Sequence, residues 1–192
     1  MIDPVWTNKL KLLVERDQFT REAILKRGTL NDTYHPEMEK VHLENASKLK
    51  KLIEKNGFPV LSNAGEEGVK LSWLIIQHAI SWPDFMKECL LQMRLSAAAG
   101  DYPLDLVAYT DDRVATFENR PQLYGTQFDW VDGEMKPLPI EDVEQLDHRR
   151  KSMGLPPMDF DTLRFSDAKP PKDPEKKQLE YEAWLKKVNW RP

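Results

Sequence analysis

Apolar residues recur at helical spacing along most of the chain, and this pattern predicts seven helices. In the first, 5–27, the side chains of Trp6, Leu10, Leu13 and Ile24 share one face, because helical residues three or four positions apart lie together. The other predicted helices are 36–56, 63–80, 81–99, 101–117, 141–153 and 175–188. Proline or glycine stands near most of their ends, as expected of helix boundaries.

The pattern changes between residues 117 and 141. Two stretches, 122–128 and 135–140, flank the dipeptide Asp132-Gly133, which is a typical hairpin turn signal. Pro137 and Pro139 indicate that the second strand lies at a sheet edge or is short, since proline cannot donate a ladder hydrogen bond. The sequence therefore predicts a mainly α-helical fold, an irregular helical bundle with a small β-hairpin near 122–140.

The domain organisation follows from the same pattern. Residues 1–165 are predicted to form one helical domain, which a chain of 192 residues can accommodate. A linker rich in proline and lysine, 166–174, joins it to an amphipathic C-terminal helix, so that 166–192 forms an appendage. That helix, with Trp184 and Leu185 on its apolar side, is a candidate surface for a protein partner or for self-association.

Composition excludes several classes of protein. The single cysteine, Cys89, excludes an internal disulfide and Cys-rich zinc or iron–sulfur sites, and favours a reducing compartment. The net charge of -4 and the lack of a basic stripe argue against nucleic acid as a partner. No apolar run approaches the ~20 residues that cross a bilayer, and the N-terminus has no signal-peptide pattern. We expect a cytoplasmic protein without membrane contact.

Polar residues interrupt the apolar stripes and the approach to the hairpin. They are Asp17, Gln18, Arg21, His42, Asn45, Gln77, His78, Asp111, Asp112 and Arg113 on the helices, and Gln122, Tyr124, Thr126 and Gln127 before the hairpin. Burying one unpaired polar group costs about 1–3 kcal/mol, and an unpaired charge costs more. One shared polar cleft or one buried network explains so many of them better than separate defects do.

Several of these positions also have an ordinary structural interpretation. Asp17 and Arg21 stand four residues apart and can form a helix salt bridge. Asp112 can pair with Arg113, and His42 can be a hydrogen-bonded core histidine. The stretch before the hairpin can be a bulged strand that bends at Gly125.

The leading hypothesis is an enzyme that uses a His/Asp/Arg cleft. His78 is the candidate general acid or base, because imidazole exchanges protons near neutral pH, and Asp17 or Asp112 would orient it. Arg21 or Arg113 would hold a carboxylate or phosphate. The remaining polar side chains would bind neutral groups or a developing oxyanion: Gln18, His42, Asn45, Gln77, Gln122, Tyr124 and Gln127. The substrate would be a polar small molecule or a peptide side chain, without a cofactor, and hydrolysis, group transfer and elimination all stay open.

Two other functions compete with this one. The first is a non-catalytic module that binds a peptide or protein and uses the polar residues as a rigid network. The second is a metal-dependent enzyme, with His42, His78 and a carboxylate from Asp17, Asp111 or Asp112 as a two-histidine, one-carboxylate set. The chain lacks a local metal motif such as H-E-x-x-H, so the sequence assigns no metal ligand.

Several short motifs resemble a bacterial family known only as a domain of unknown function. They are Arg16-Asp-Gln18 with Arg21, Asn45 before Gly57-Phe-Pro59, Trp73 with Gln77-His78-Ala79, 108–114, Gln122-x-Tyr-Gly-Thr-Gln127, Pro139-Ile-Glu-Asp142, and Asp147-x-Arg149-Arg150 before Gly154-Leu155. The resemblance covers 10–163 in order. It implies no activity, but it implies a site made of Asp17, Gln18, Arg21, Asn45, Gln77, His78, Asp112, Arg113, Gln122, Tyr124 and Gln127. Phe58 replaces the family's tryptophan, and the doubled aspartate leaves the family's single acid open, although adjacency to Arg113 favours Asp112.

Overall fold

Helices dominate the structure, a computed structural model that describes residues 2–28, 34–131, 133–159 and 170–192. The chain divides into two compact units, Met1–Tyr102 and Pro103–Pro192, and each is described by itself. The prediction of a domain that ends near residue 165 stays a prediction, because 160–169 lie outside the described residues. Most of the predicted linker lies there too.

The first unit contains four helices. They are α1 (Pro4–Arg27), α2 (Pro36–Asn56), α3 (Leu61–His78) and α4 (Pro83–Ala98). α1 packs on α2 and α3, and α3 also contacts α4. Proline occupies the first turn of α1, α2 and α4, where its missing N–H leaves no helical bond unmade. The buried face of α1 carries Trp6, Leu10 and Ile24, with Asp17 between the last two.

α1 and α3 approach each other closely at Gly68. A methyl group added there would stand 3.1 Å from the Cβ of Trp6 and 2.9 Å from the Cβ of Ala64. Neither atom is the flexible end of a side chain, so the methyl group would crowd Ala64 within α3 and push α1 away at Trp6. The sequence therefore needs a glycine at this point of the α1–α3 contact.

We expect Gly68→Ala to lower the free energy of unfolding by about 1–3 kcal/mol, the usual effect of overpacking. Alanine would otherwise favour the helix by about 1 kcal/mol, so the sign distinguishes the close contact from intrinsic helix propensity. Urea denaturation measures the change. Lys70→Ala, an exposed position on the same helix, serves as the control, and stabilisation by Gly68→Ala would contradict the close approach.

The second unit combines helices with a hairpin. Its elements are α5 (Leu104–Phe117), β1 (Phe128–Val131), β2 (Glu134–Pro137), a 3₁₀ helix (Val143–Gln145), α6 (Leu146–Ser152) and α7 (Pro174–Lys187). β1 and β2 pair antiparallel, with Phe128 opposite Pro137. The described residues thus contain seven α-helices and one two-stranded hairpin, which confirms the predicted mainly α-helical fold.

Two details of the second unit differ from the prediction. The stretch 122–127 is not a strand; Gln122 alone forms an isolated bridge, with Ile140, and the strands lie closer to the turn. The sixth helix begins at Leu146 rather than at 141, because Asp142 adopts a left-handed conformation (φ 40°) that a helix cannot contain.

The C-terminal helix is anchored within the second unit. The ring of Phe117 at the end of α5 lies 5.8 Å from Trp184 and 4.9 Å from Trp190. Arg191 also donates hydrogen bonds to the carbonyls of Thr116 and Phe117. On the apolar side of α7, Trp184 and the buried Leu185 therefore pack within the chain, whereas Leu179 is exposed. None of the described helices combines the length and apolar character that a membrane span requires.

Candidate functional site

A buried carboxylate joins two histidines in the first unit. Asp17 lies on the inner face of α1 and is 3% exposed. Its Oδ2 stands 2.5 Å from Nδ1 of His78, the last residue of α3, and its Oδ1 stands 3.2 Å from Nε2 of His42 on α2. The two imidazole rings have centroids 4.7 Å apart. Three helices thus bring these side chains together, and with Tyr34 we call them the Asp17 cluster.

The hydrogen bonds determine the charge of Asp17. Burial by itself raises the pKa of this carboxyl, but the hydrogen bonds from His42 and His78 outweigh it and hold the pKa well below its usual range. Asp17 is therefore ionised at neutral pH. An ionised carboxylate can only accept, so the imidazole nitrogen facing each of its oxygens carries a proton.

This protonation fixes the tautomer of neutral His42. With the proton on Nε2, its Nδ1 is an acceptor, and the hydroxyl of Tyr34 donates to it over 2.6 Å. Burial, together with the negative charges of Glu39 and Asp17, raises the pKa of Tyr34, so the phenol stays neutral and keeps the proton it donates. Tyr34 and His42 therefore support Asp17 from the buried side.

His78 occupies the accessible side of the Asp17 cluster. Its side chain is 28% exposed, whereas the side chains of His42 and Asp17 are 9% and 4% exposed. Because Nδ1 donates its proton to Asp17, the lone pair of the neutral ring lies on Nε2. Within the described part of the chain, Nε2 forms no hydrogen bond. The arrangement provides an oriented base with an available lone pair.

Three residues in or beside this cluster, Tyr34, Glu39 and Ser81, were missed by the sequence interpretation. Tyr34 precedes α2 and Ser81 follows α3, in connecting segments where helical periodicity assigns no face. The hydroxyl of Ser81 donates to Glu39 over 2.6 Å. The short distance along the chain from His78 to Ser81 was the available signal that Ser81 lies near this cluster.

The other candidate residues of the first unit take different positions. Asn45 is buried and donates to the carbonyl of Leu13 over 2.9 Å, and Gln77 is also buried. Gln18 and Arg21 are exposed. Arg21 forms no ion pair with any described residue, so the helix salt bridge between Arg21 and Asp17 is not formed among these residues. Both oxygens of Asp17 accept hydrogen bonds from the histidines instead.

Asp112 organises a loop in the second unit. It is fully buried on α5 and accepts the backbone N–H groups of Leu123 (2.8 Å), Tyr124 (3.1 Å) and Thr126 (2.9 Å), as well as the Thr126 hydroxyl (2.9 Å). Burial raises the pKa of Asp112 in spite of these bonds. These hydrogen bonds hold the backbone of residues 122–127 in place.

Other motif residues hold the same loop. The side chain of Gln122 accepts from the N–H of Gln127 and donates to the carbonyls of Gln127 and Leu138. Arg149 donates to the carbonyl of Leu123 over 2.7 Å, and Arg150 to that of Tyr124 over 2.5 Å.

Arg113 completes this arrangement. Its Nε donates to Oε1 of Gln127 over 3.1 Å, and burial lowers the pKa of its guanidinium. Asp112, Arg113, Gln122 and Gln127 are thus the sequence-predicted site residues that these contacts join within the second unit. The group in the second unit stabilises an irregular loop.

We expect Asp112→Asn to lower the free energy of unfolding by about 2–3 kcal/mol. The amide would present an N–H to donors that now meet a carboxylate oxygen, which leaves at least one buried donor unpaired. Thermal or urea denaturation measures the loss, with Asp105→Asn near the start of α5 as the control. Wild-type stability in Asp112→Asn would contradict the structural role.

The comparisons with known proteins agree with the sequence motifs. A family model described as a family of unknown function (DUF6624) matches residues 4–170, which confirms the resemblance drawn from those motifs. No curated protein and no solved structure matches the chain. The function has to be argued from the residues themselves.

Proposed function

We propose that this chain, which belongs to that family of unknown function, is an enzyme in which His78 is the general acid or base and Asp17 orients it. One observation supports this most strongly. Oδ2 of a buried, ionised Asp17 lies 2.5 Å from Nδ1 of His78, while the opposite ring nitrogen belongs to a partly exposed side chain. A carboxylate, an imidazole and an accessible lone pair in this order are the elements of general-base catalysis.

In the proposed reaction, Nε2 of His78 removes a proton from a substrate O–H or N–H group, or from a water molecule. Nδ1–H donates to Asp17 before and after this step, so the ring keeps its orientation. The carboxylate lies beside the imidazolium that forms. The same proton then passes from Nε2 to the leaving group, which returns His78 to its starting state. His42 and Tyr34 act as positioning residues through Asp17.

Two potential nucleophiles of the first unit, Cys89 and Ser81, favour direct proton transfer over a covalent enzyme intermediate. Burial strongly raises the pKa of the Cys89 thiol, which makes it a poor nucleophile. The Ser81 hydroxyl donates to Glu39 and not to a histidine. We therefore assign to His78 the activation of water or of the substrate itself, a polar small molecule or a peptide side chain. Hydrolysis, transfer and elimination all fit this role. The single thiol favours a reducing compartment, and the bacterial cytoplasm is the location that we propose.

A search for turnover without a chosen substrate tests this proposal. Purified protein is incubated with a bacterial metabolite extract and with a peptide mixture, and mass spectrometry records the compounds that change. We compare the wild type with His78→Ala, with His78→Asn, and with His148→Ala, which removes an exposed histidine outside the Asp17 cluster. We expect the same compounds to change with the wild type and His148→Ala but not with the His78 variants. Equal turnover by folded His78→Asn, or no change with the wild type, would overturn the proposal.

A metal-dependent enzyme is the second candidate function. One ligand atom from each of Asp17, His42 and His78 lies within 4.8 Å of the others, and two imidazole nitrogens with one carboxylate oxygen suit zinc or ferrous iron. However, each oxygen of Asp17 already meets a different imidazole at hydrogen-bond distance, and a metal would have to displace both protons. Proton transfer therefore describes the observed geometry better.

Elemental analysis separates the two functions. Protein prepared without a histidine tag from metal-replete cells is expected to contain far less than one transition metal per chain, and EDTA is expected to leave turnover unchanged. Stoichiometric metal that disappears in His42→Ala would instead support the metal-dependent enzyme.

A further inference from the structure

A groove with a volume of about 610 Å³ runs between α1 and α2. Its walls come from one face of each helix: Lys9, Leu12, Leu13 and Arg16 on α1, and Lys48, Lys51, Leu52 and Lys55 on α2. The positions on each helix repeat with helical spacing over about 10 Å of helix length. The groove is therefore a regular feature of a helix pair.

The groove combines an apolar interior with a cationic rim. Leu13 and Leu52 are almost buried, and Leu12 is 67% exposed beside them. The Leu12 side chain is therefore in contact with water. Apolar side chains of a partner that entered the groove would bury it, which is favourable. Phe19, one further turn along α1, is 74% exposed and extends the apolar surface.

The charges around the groove are almost all positive. Five lining residues are cationic, and Arg16 alone of these forms an ion pair with a described residue, Glu44, over 2.5 Å. Lys9, Lys51 and Lys55 have no ion-pair partner within the described residues. In a chain with a net charge of -4, this local concentration of positive charge favours an acidic partner over a neutral or basic one.

We propose that this groove binds an acidic amphipathic helix of a partner protein, with apolar residues in the groove and carboxylates toward the lysines on both sides. The distribution of charge favours this occupant over a single fatty acid. One carboxylate would engage one end of the groove, whereas the cations lie on both helices and along the whole length. This binding surface is independent of the His78 chemistry.

Titration of isotope-labelled full chain with a synthetic peptide tests the proposal by NMR. The probe is a helix of about 15 residues with Leu at i, i+3, i+4 and i+7 and Glu on both flanks. Two control peptides replace Glu by Lys, or keep the composition but distribute Leu around the helix. We expect saturable shifts confined to 9–16 and 48–55 with the acidic amphipathic peptide only, and weaker binding as salt increases.

Charge reversal supplies the matched variants. Lys51→Glu with Lys55→Glu should weaken binding at least about tenfold, since two favourable charge contacts become repulsive. Lys11→Glu with Lys26→Glu changes the net charge equally at exposed positions of α1 outside the groove and should change the affinity less than about twofold. Absence of saturable shifts, equal binding of the scrambled peptide, or binding of laurate but not of the peptide would each overturn the proposal.

Discussion

His78→Asn is expected to lower kcat/KM by about 10²–10⁴-fold for whichever compound the turnover search identifies. The asparagine amide can still donate to Asp17 from nearly the position of Nδ1, but it has no lone pair in place of Nε2. The variant therefore removes the base and keeps the buried hydrogen bond. Steady-state kinetics measures the effect, and we expect the loss in kcat rather than in KM.

Two measurements make this result specific to His78. His148→Ala should retain the wild-type kcat, because that histidine is exposed and forms no hydrogen bond within the Asp17 cluster. Urea denaturation should show that His78→Asn unfolds at nearly the wild-type concentration. A folded His78→Asn protein with kcat within about threefold of the wild type would contradict a role in proton transfer.

Asp17→Asn should have a double effect. Its Nδ2 group would face an imidazole N–H, and relief of that clash would switch one ring to the other tautomer. Where His78 switches, its Nε2 carries a proton and can no longer accept one, so we expect kcat to fall by up to about 10⁴-fold. Loss of the buried charge-assisted hydrogen bonds should also lower the free energy of unfolding by about 3 kcal/mol.

The stability difference between the wild type and Asp17→Asn should depend on pH. The pKa of Asp17 is lower in the folded chain than in the unfolded chain, where it lies at about 3.9. The stabilisation is therefore complete well above pH 4 and is lost as the pH falls below that value and through the folded pKa. Urea denaturation of both proteins at pH 7, 5 and 3 measures it, and a difference that increases toward acid would contradict this coupling.

The helical pattern predicted much of the first unit, including the inward position of Asp17. After Leu13, the same face of α1 continues to Asp17 and then to either Thr20 or Arg21, which the 3.6-residue period cannot separate. The structure half-buries Thr20, whose hydroxyl donates to the carbonyl of Arg16, and exposes Arg21. The packing of α2 and α3 against α1 determines which of these two residues faces inward, and periodicity alone does not.

The loop in the second unit could not be interpreted from periodicity. The sequence identified Asp112 as a polar residue on a buried stripe, which fits a catalytic acid and a structural acceptor equally well. Its partners are backbone N–H groups of 122–127, an irregular stretch without an apolar repeat. The identity of those residues does not reveal where their backbone points, so the sequence could not predict these hydrogen bonds.

The protonation of His78 tests the central claim most directly. Nitrogen-15 NMR of the imidazole side chains distinguishes the two neutral tautomers, with the resonance assigned by comparison with His78→Asn. For the neutral ring we expect the proton on Nδ1, strongly hydrogen-bonded, and an unprotonated Nε2, with a different tautomer balance in Asp17→Asn. A wild-type spectrum with the proton on Nε2 at neutral pH, unchanged by Asp17→Asn, would contradict it.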